Sequence, residues 1–485
     1  KIPGKDLKNR KNESKARPVS GKLQKTQHSY KVKDSSKDRD GFKAKTRPEE
    51  KRYGERKYEE RRHEGKGRFT IPTQEEVNEV KSPSFAEKMT EALKKNSPEL
   101  IFTGIEPLAD LSYEKELELK TQVFKEFWKD NNLPTRPEKV VASPKPRQYR
   151  TTTKRRIIRH KNRFYLLFSE DTKVKEKEFF TSSLLEPEEH SEIYRYISER
   201  INEPVYLILG QCLNFIVIRG SYTEFSVIFN VHTLSGPIVR KLKALAEEIK
   251  RTQANVISAF IYLDPTRSDY YLENLRPKDQ LSFKKLFGPD KLFVKFHDLK
   301  YSFYPTSFSQ VNGSMVPVML DRAKSMLLPA DKPADKSRLI DLYCGYGLFS
   351  HYLADNFNET IGIEAEGSSI KSAIENNSFM SHKGKVKFLT KRITEESLDS
   401  SLPESLDIEE IYILDPPRQG TEKGVIKKIA QRRPLRILHI FCNVDKIAEE
   451  IKQWKKNNYK IQKVIPLDMF PGTPNLEVMI LLMAF

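Results

Sequence analysis

The chain has 485 residues with 86 Lys+Arg against 67 Asp+Glu, a net charge of +19, and three cysteines. Its length predicts two or three folded units, the cysteine count excludes a disulfide scaffold and fits a reducing compartment, and no apolar run approaches the roughly 20 residues that span a bilayer. Without the apolar core of a secretory signal the sequence predicts a soluble, cytoplasmic monomer with no membrane partner; because it begins at Lys1 and not at Met, an organellar location stays open.

Residues 1–75 form the first segment. Its first 70 positions hold 24 Lys+Arg and 11 Asp+Glu, so most of the excess charge sits here. Few large apolar residues are present, so too little surface can be buried to offset chain entropy, and the segment is expected to be a disordered basic tail. Such a tail is attracted to polyanions, RNA foremost, because phosphate contacts release counterions; an anionic membrane face or a solvated spacer remain the other readings.

Residues 76–140 read as a helical segment ahead of the first core. In YEKELELKTQVFKEFWKDNN, Leu117, Val123, Phe124 and Phe127 share one helical face. Residues 141–300 read as a central α+β domain. It opens on SPKPRQYRTTTKRRIIRHKNR, whose Arg147, Arg150, Arg155 and Arg156 are candidate RNA contacts on a loop and strand, or else an exposed charged edge. Strands are predicted at FYLLF, VYLIL (205–209), FIVI (215–218), FSVIFNV (225–231), ISAFIYLD and LFVKF. A helix at VRKLKALAEEIKRT lies among them, and an antiparallel sheet follows.

Residues 301–485 form the last predicted domain. From about Arg338 strand and helix alternate: RLIDLY, TIGIEA, VKFLT, IYILD and RILHIF are strands with helices between them, which predicts a parallel sheet covered on both faces. Two successive strands, 460–467 and 476–483, close the chain, as they would if the last one turned antiparallel.

Three motifs in this domain carry chemistry. DLYCGYGLFS (341–350) sits where a strand becomes a helix, and Gly345 and Gly347 let the backbone turn tightly beside a ligand. Glu364 ends the next strand, where an acid can accept hydrogen bonds from ribose hydroxyls. LDPPRQG (414–420) ends the fourth strand, and its two prolines hold Asp415 and Arg418 toward the crevice. The three together point to S-adenosylmethionine. Because Arg418, not an aromatic, follows the prolines, amino-group methylation is disfavoured. The third motif is Cys442 in HIFCN. Taken alone, a cysteine after an apolar run is ordinarily a packing residue. Here a thiolate adding to C6 of uridine would make C5 nucleophilic, and Glu477, in DMFPGTPNLEVM, has the chemistry to remove the C5 proton if its loop folds back over the site.

In order, SFSQVN (307–312), DLYCGYGLFS, Glu364, LDPPRQG, FCN and DMFPGTPNLEV resemble the RNA uracil-C5 methyltransferases, which form 5-methyluridine in transfer and ribosomal RNA. The resemblance is strong over about 301–485 and weak in the central domain. It implies an α/β protein: a Rossmann-like class I methyltransferase domain, a central α+β RNA-binding domain and the basic tail. It further implies that Gln310, Tyr343, Glu364 and Asp415 bind S-adenosylmethionine, that Cys442 is the nucleophile, and that Glu477 is the proton acceptor, with no metal at the site. The substrate is expected to be ribosomal or transfer RNA.

Departures are visible. Relatives often read CNP where this chain has CNV, and His-Val-Glu where Asn475-Leu476-Glu477 stands. Many relatives bind an iron-sulfur cluster through four N-terminal cysteines; only Cys212 lies outside the last domain, so no cluster is expected. The altered neighbours and the long tail motivate a second reading, a catalytically impaired RNA-binding maturation factor of the same fold. A cytosine-C5 methyltransferase is disfavoured because Phe441, not proline, precedes the cysteine.

Overall fold

Apolar strands alternating with amphipathic helices after residue 336 build a seven-stranded sheet in the computed structural model, which describes residues 83–96, 106–168, 183–267, 282–328, 336–365, 367–404 and 408–485. These residues all belong to one unit, Val80–Phe485. The basic tail expected over 1–75 lies outside them.

In chain order the elements are α1 (Phe85–Asn96), α2 (Tyr113–Asp130), β1 (Thr152–His160), β2 (Arg163–Leu167), α3 (Glu188–Arg200), α4 (Leu207–Cys212), β3 (Leu213–Gly220), β4 (Phe225–Val231), α5 (Gly236–Thr252) and β5 (Val256–Leu263). There follow β6 (Ser282–Phe287), β7 (Leu292–Phe296), β8 (Leu299–Phe303), α6 (Met315–Leu327), β9 (Ser337–Leu342), α7 (Leu348–Leu353), β10 (Glu359–Glu364), α8 (Ser368–Phe379), β11 (Lys385–Thr390) and α9 (Glu395–Ser401). The chain ends with β12 (Glu409–Leu414), α10 (Val425–Gln431), β13 (Arg436–Phe441), α11 (Ile447–Lys456), β14 (Tyr459–Leu467) and β15 (Glu477–Ala484).

The seven strands lie in the order β11-β10-β9-β12-β13-β15-β14. The first five run parallel, and β15 pairs antiparallel with both β13 and β14. Strand order reverses at β9, which has β10 on one side and β12 on the other, so the ligand crevice of such a sheet opens beyond Leu342, Glu364 and Leu414. Because β15 enters from the opposite direction, its first residue, Glu477, arrives at this same edge. Successive residues face opposite sides, and both sides are covered. Ile340 and Leu342 join one core with α1, α2, α10 and α11, while Leu339 joins another with α6, α7 and the β7–β8 ribbon.

The central sheet has the order β2-β1-β3-β4-β5-β6 and is antiparallel except for β4 and β5, which α5 connects in parallel. Helices α3, α4 and α5 cover one of its faces.

Three expectations are corrected here. The run 205–209 is not a strand. A turn leads into α4, in which Tyr206, Leu209 and Cys212 face the core while Val205, Leu207 and Ile208 remain 47%, 39% and 38% exposed. A five-residue apolar run has no period of its own, and the surrounding helices decide its state. LFVKF is a strand, β7, but it pairs with β8 in a separate ribbon on the methyltransferase side, not in the central sheet. Finally, α1 and α2 precede the central domain in the chain but do not pack on its core. Phe85, Met89, Val123, Phe124 and Phe127 pack on the seven-stranded sheet.

A buried ionic network ties α2 to that sheet. Lys120 Nζ lies 2.8 Å from Glu116 and 2.7 Å from Asp468, and all three side chains are fully buried. Glu116 also pairs with Arg147 at 3.0 Å and accepts from Gly472 N–H at 2.5 Å. Asp468 accepts from the Tyr113 hydroxyl at 3.1 Å. Together with Tyr149, which donates to the Pro471 carbonyl at 2.9 Å, these bonds fix the 468–472 loop that delivers Glu477. Removing the lysine would leave the buried Asp468 without a cation and Glu116 with Arg147 alone. Lys120→Met is therefore expected to destabilise the protein by about 3–5 kcal/mol, read from urea unfolding of the variant against the parent.

Candidate functional site

The Gly-rich turn after β9 follows a left-handed path. Tyr343, Gly345 and Gly347 have φ of 63°, 57° and 86°. A side chain at Gly345 would meet nothing, whereas one at Gly347 would come within 2.8 Å of the His351 ring and 2.9 Å of Phe388. The first glycine thus leaves the turn open toward the crevice, and the second lets α7 start against the sheet. Glu364, at the end of β10, braces the turn: its two oxygens accept from Gly345 N–H at 3.0 Å and Ala365 N–H at 2.7 Å. The Tyr343 hydroxyl and one oxygen of Asp341 are buried with no hydrogen-bond partner, while the other Asp341 oxygen accepts from Ser350 N–H at 3.0 Å and Oγ at 2.5 Å.

Beyond β12, Asp415 is half-buried, and the chain runs through Pro416 to the exposed Arg418. The Cys442 thiol, just past β13, donates to the Pro416 carbonyl at 3.7 Å, and Asn443 Nδ2 donates to the Arg418 carbonyl at 3.1 Å. Antiparallel register pairs Phe441 with Val478, which sets Cys442 beside Glu477. The next loop is held from below: Glu450 accepts from Thr421 N–H at 2.7 Å and pairs with the buried His439, whose Nδ1 accepts from Trp454 at 3.1 Å.

Electrostatics show how closely these groups meet. Burial pushes the Asp415 carboxyl well above its ordinary range, and the charges of Glu477, Asp341 and Glu364 push it further. Burial raises Glu477 to about 7, against the pull of Arg418, and Asp341 to about 7 despite its bonds to Ser350. Burial also lifts the Cys442 thiol far above its usual range, with Glu477 and Asp415 adding to the effect and Arg418 opposing it. Arg418 is the one cation acting on both the thiol and Glu477. Mutually interacting carboxylates, Asp341, Glu364, Asp415 and Glu477, make a site suited to a cationic ligand. S-adenosylmethionine carries an ammonium and a sulfonium, and one buried Asp341 oxygen has no hydrogen-bond partner, so the residues fit that cofactor.

Gln310 is half-exposed in the β8–α6 loop. That loop reaches the start of α8, where Phe308 N–H donates to Ser369 Oγ at 3.3 Å, just past Glu364. The structure therefore brings Gln310, Tyr343, Glu364, Asp415, Arg418, Cys442 and Glu477 to one edge of the sheet. It does not bring Arg147, Arg155 or Arg156 there, whereas Arg150 bridges to Asn312 in the loop that carries Gln310. Arg147 is spent on Glu116 and on the carbonyls of Leu108, Ala109 and Leu111. Arg155 is 4% exposed, paired with Glu186 at 2.5 Å and sandwiched between Phe168 and Tyr194. Arg150 and Arg156 are half-buried, and among the described residues no carboxylate pairs with either. Two site groups escaped the motif reading. Asp341 is signalled by an acid inside an apolar strand; His439 and Glu450, 11 positions apart by number, carry no such local signal.

The family described as tRNA (uracil-5-)-methyltransferase matches residues 112–485. An uncharacterized RNA methyltransferase of Halalkalibacterium halodurans is 26% identical over 424 residues, covering 83% of this chain and 87% of that protein. A 23S rRNA (uracil(747)-C(5))-methyltransferase of Pyrococcus abyssi is 32% identical over 196 residues, covering 40% of this chain and 43% of that one. Among solved structures, the tRNA (uracil-54, C5)-methyltransferase of Pyrococcus abyssi, in complex with S-adenosyl-L-homocysteine, superposes with a TM-score of 0.57 at 20% identity. It covers 78% of this chain and 85% of its own, which establishes the shared fold. Among the described residues no helix is long and apolar enough to cross a membrane.

Proposed function

Because the chain belongs to the tRNA (uracil-5-)-methyltransferase family, S-adenosylmethionine-dependent enzymes acting on C5 of uridine in RNA, we propose that it methylates a uridine of transfer or ribosomal RNA through a covalent adduct to Cys442. The observation that carries this reading is the juxtaposition of Cys442 and Glu477 at the ends of paired strands, opposite the Gly-rich turn.

Gln310, Tyr343, Glu364 and Asp415 would hold the cofactor, with Glu364 also keeping the turn in shape. S-adenosylmethionine supplies an electrophilic methyl group. Cys442 Sγ adds to C6 of the uridine, forming a C–S bond and moving the C5=C6 pair onto C5, which then takes the methyl. Glu477 accepts the C5 proton, the C5=C6 bond re-forms, and the C–S bond breaks to return the thiolate. Arg418 steadies the thiolate, since its charge opposes the burial that keeps the thiol protonated. The uridine must leave its stack to bring its C6 to the Cys442 thiol.

Purified protein, labelled S-adenosylmethionine and RNA from cells lacking the gene should yield 5-methyluridine, and mapping the lost modification in those cells identifies the RNA. Tight RNA binding with no 5-methyluridine from an intact fold would favour an impaired maturation factor.

A further inference from the structure

The basic segment of the central domain divides by face. Along β1, Arg155 turns inward and is neutralised, while its neighbours turn the other way. At the far end of the sheet a cavity of about 370 Å³ is lined by Arg156, Arg159, Arg267, His232, Asn214 and Phe215. Among the described residues no acid lines it, and no carboxylate pairs with any of the three arginines. Arg159 and Arg267 are exposed, and Arg156 is half-buried over the Phe215 ring, 5.9 Å from its centroid.

One contact in the cavity is frustrated. His232 Nε2 lies 3.0 Å from the Gln211 carbonyl and 3.0 Å from Arg267 Nη2. A single ring nitrogen cannot donate to the carbonyl and accept from the guanidinium at once. With the proton on Nε2, Arg267 faces a donor and its fork is left for an anion. Three arginines lining a cavity that no acid of the described residues lines suit a phosphodiester, which accepts paired N–H bonds.

The cavity is remote from the chemistry. It lies at the Phe215 end of β3, whereas Arg219, at the other end, bonds the Pro305 carbonyl and Ser309 Oγ beside Gln310. The two ends are four residue steps apart along the strand, about 13 Å at 3.3 Å per residue. A nucleotide in the catalytic crevice cannot fill both places.

We propose that this cavity is a second RNA subsite, in which Arg156, Arg159 and Arg267 grip backbone phosphates outside the target nucleotide. It rests on the uridine-methylating reading above, and it makes the enzyme favour RNA long enough to span the two sites. The subsite positions RNA without reading its bases.

The test is the Arg159→Glu/Arg267→Glu double variant, chosen because both side chains are exposed and outside the catalytic edge. Filter binding of total RNA from cells lacking the gene should weaken at least about tenfold, with the salt slope reduced by about 2, as expected for two lost phosphate contacts. KM for that RNA should rise while kcat holds, and methylation of the dinucleotide UpU, too short to reach the cavity, should not change. Arg159→Lys/Arg267→Lys should restore most of the binding. Binding and salt slope equal to the parent's would overturn the subsite, as would an equal loss on the dinucleotide. If the parent protein makes no 5-methyluridine, the catalytic reading fails, and the binding and salt data still decide this one.

Discussion

Replacing Cys442 with alanine is expected to lower kcat by on the order of 10⁴-fold or more, with S-adenosylmethionine affinity and thermal stability close to the parent's. The thiol is a poor packing element to lose. It is half-exposed, its one hydrogen bond is a 3.7 Å contact with the Pro416 carbonyl, and its environment resists the charged form. A residue kept there for structure would show the reverse pattern, a drop in melting temperature with activity retained. Single-turnover methyl transfer alongside a cofactor titration separates the two cases.

Glu477→Gln is expected to cost about 10²–10⁴-fold in turnover and to make the protein more stable at pH 8. Burial holds the folded carboxyl near 7, above its ordinary 4.5, so the folded state keeps a proton that the unfolded state gives up. That contribution to stability is intact below about pH 4.5 and lost as pH rises through 7, by on the order of 3 kcal/mol at most. An amide has no charge to desolvate and escapes the loss. The variant's melting temperature should therefore exceed the parent's at pH 8 and match it at pH 5. In the parent, turnover should rise through about pH 7 as Glu477 ionises, and a glutamine variant should lack that limb. Equal melting temperatures at pH 8 would mean that Glu477 titrates as an ordinary carboxylate and is not held in this site.

The catalytic half was legible because its strands are buried on both faces and read as continuous apolar runs, and because its chemistry sits at strand ends, where a motif and its location coincide. Glu364 and Asp415 were readable for that reason. What joins Cys442 to Glu477 was readable only as chemistry: their adjacency depends on the reversed direction of β15, which pairs positions 35 apart in the chain. The basic stretch was read as one surface, yet a strand sends alternate residues to opposite faces, so Arg155 became a buried ion pair while Arg156 reached a cavity. Arg147 was misplaced for a different reason, since Glu116 and the carbonyls it binds belong to α2 and the turn before it. The Lys120 network was invisible because its acid, Asp468, lies 348 positions away, and a lysine on a helix is ordinarily solvated. Only the i,i+4 spacing of Glu116 and Lys120 on an apolar face hinted at it.

The central claim is that Cys442 bonds to the uridine during transfer. Fluorine at C5 cannot leave as a proton does, so RNA carrying 5-fluorouridine should stall after methylation with the C–S bond intact. Incubating the protein with such RNA and S-adenosylmethionine, followed by nuclease and protease digestion and mass spectrometry, should give one peptide containing Cys442 that bears a methylated fluorouridine. An adduct on Cys344 or Cys212, or 5-methyluridine formation from ordinary RNA with no trapped species on the analogue, would contradict it.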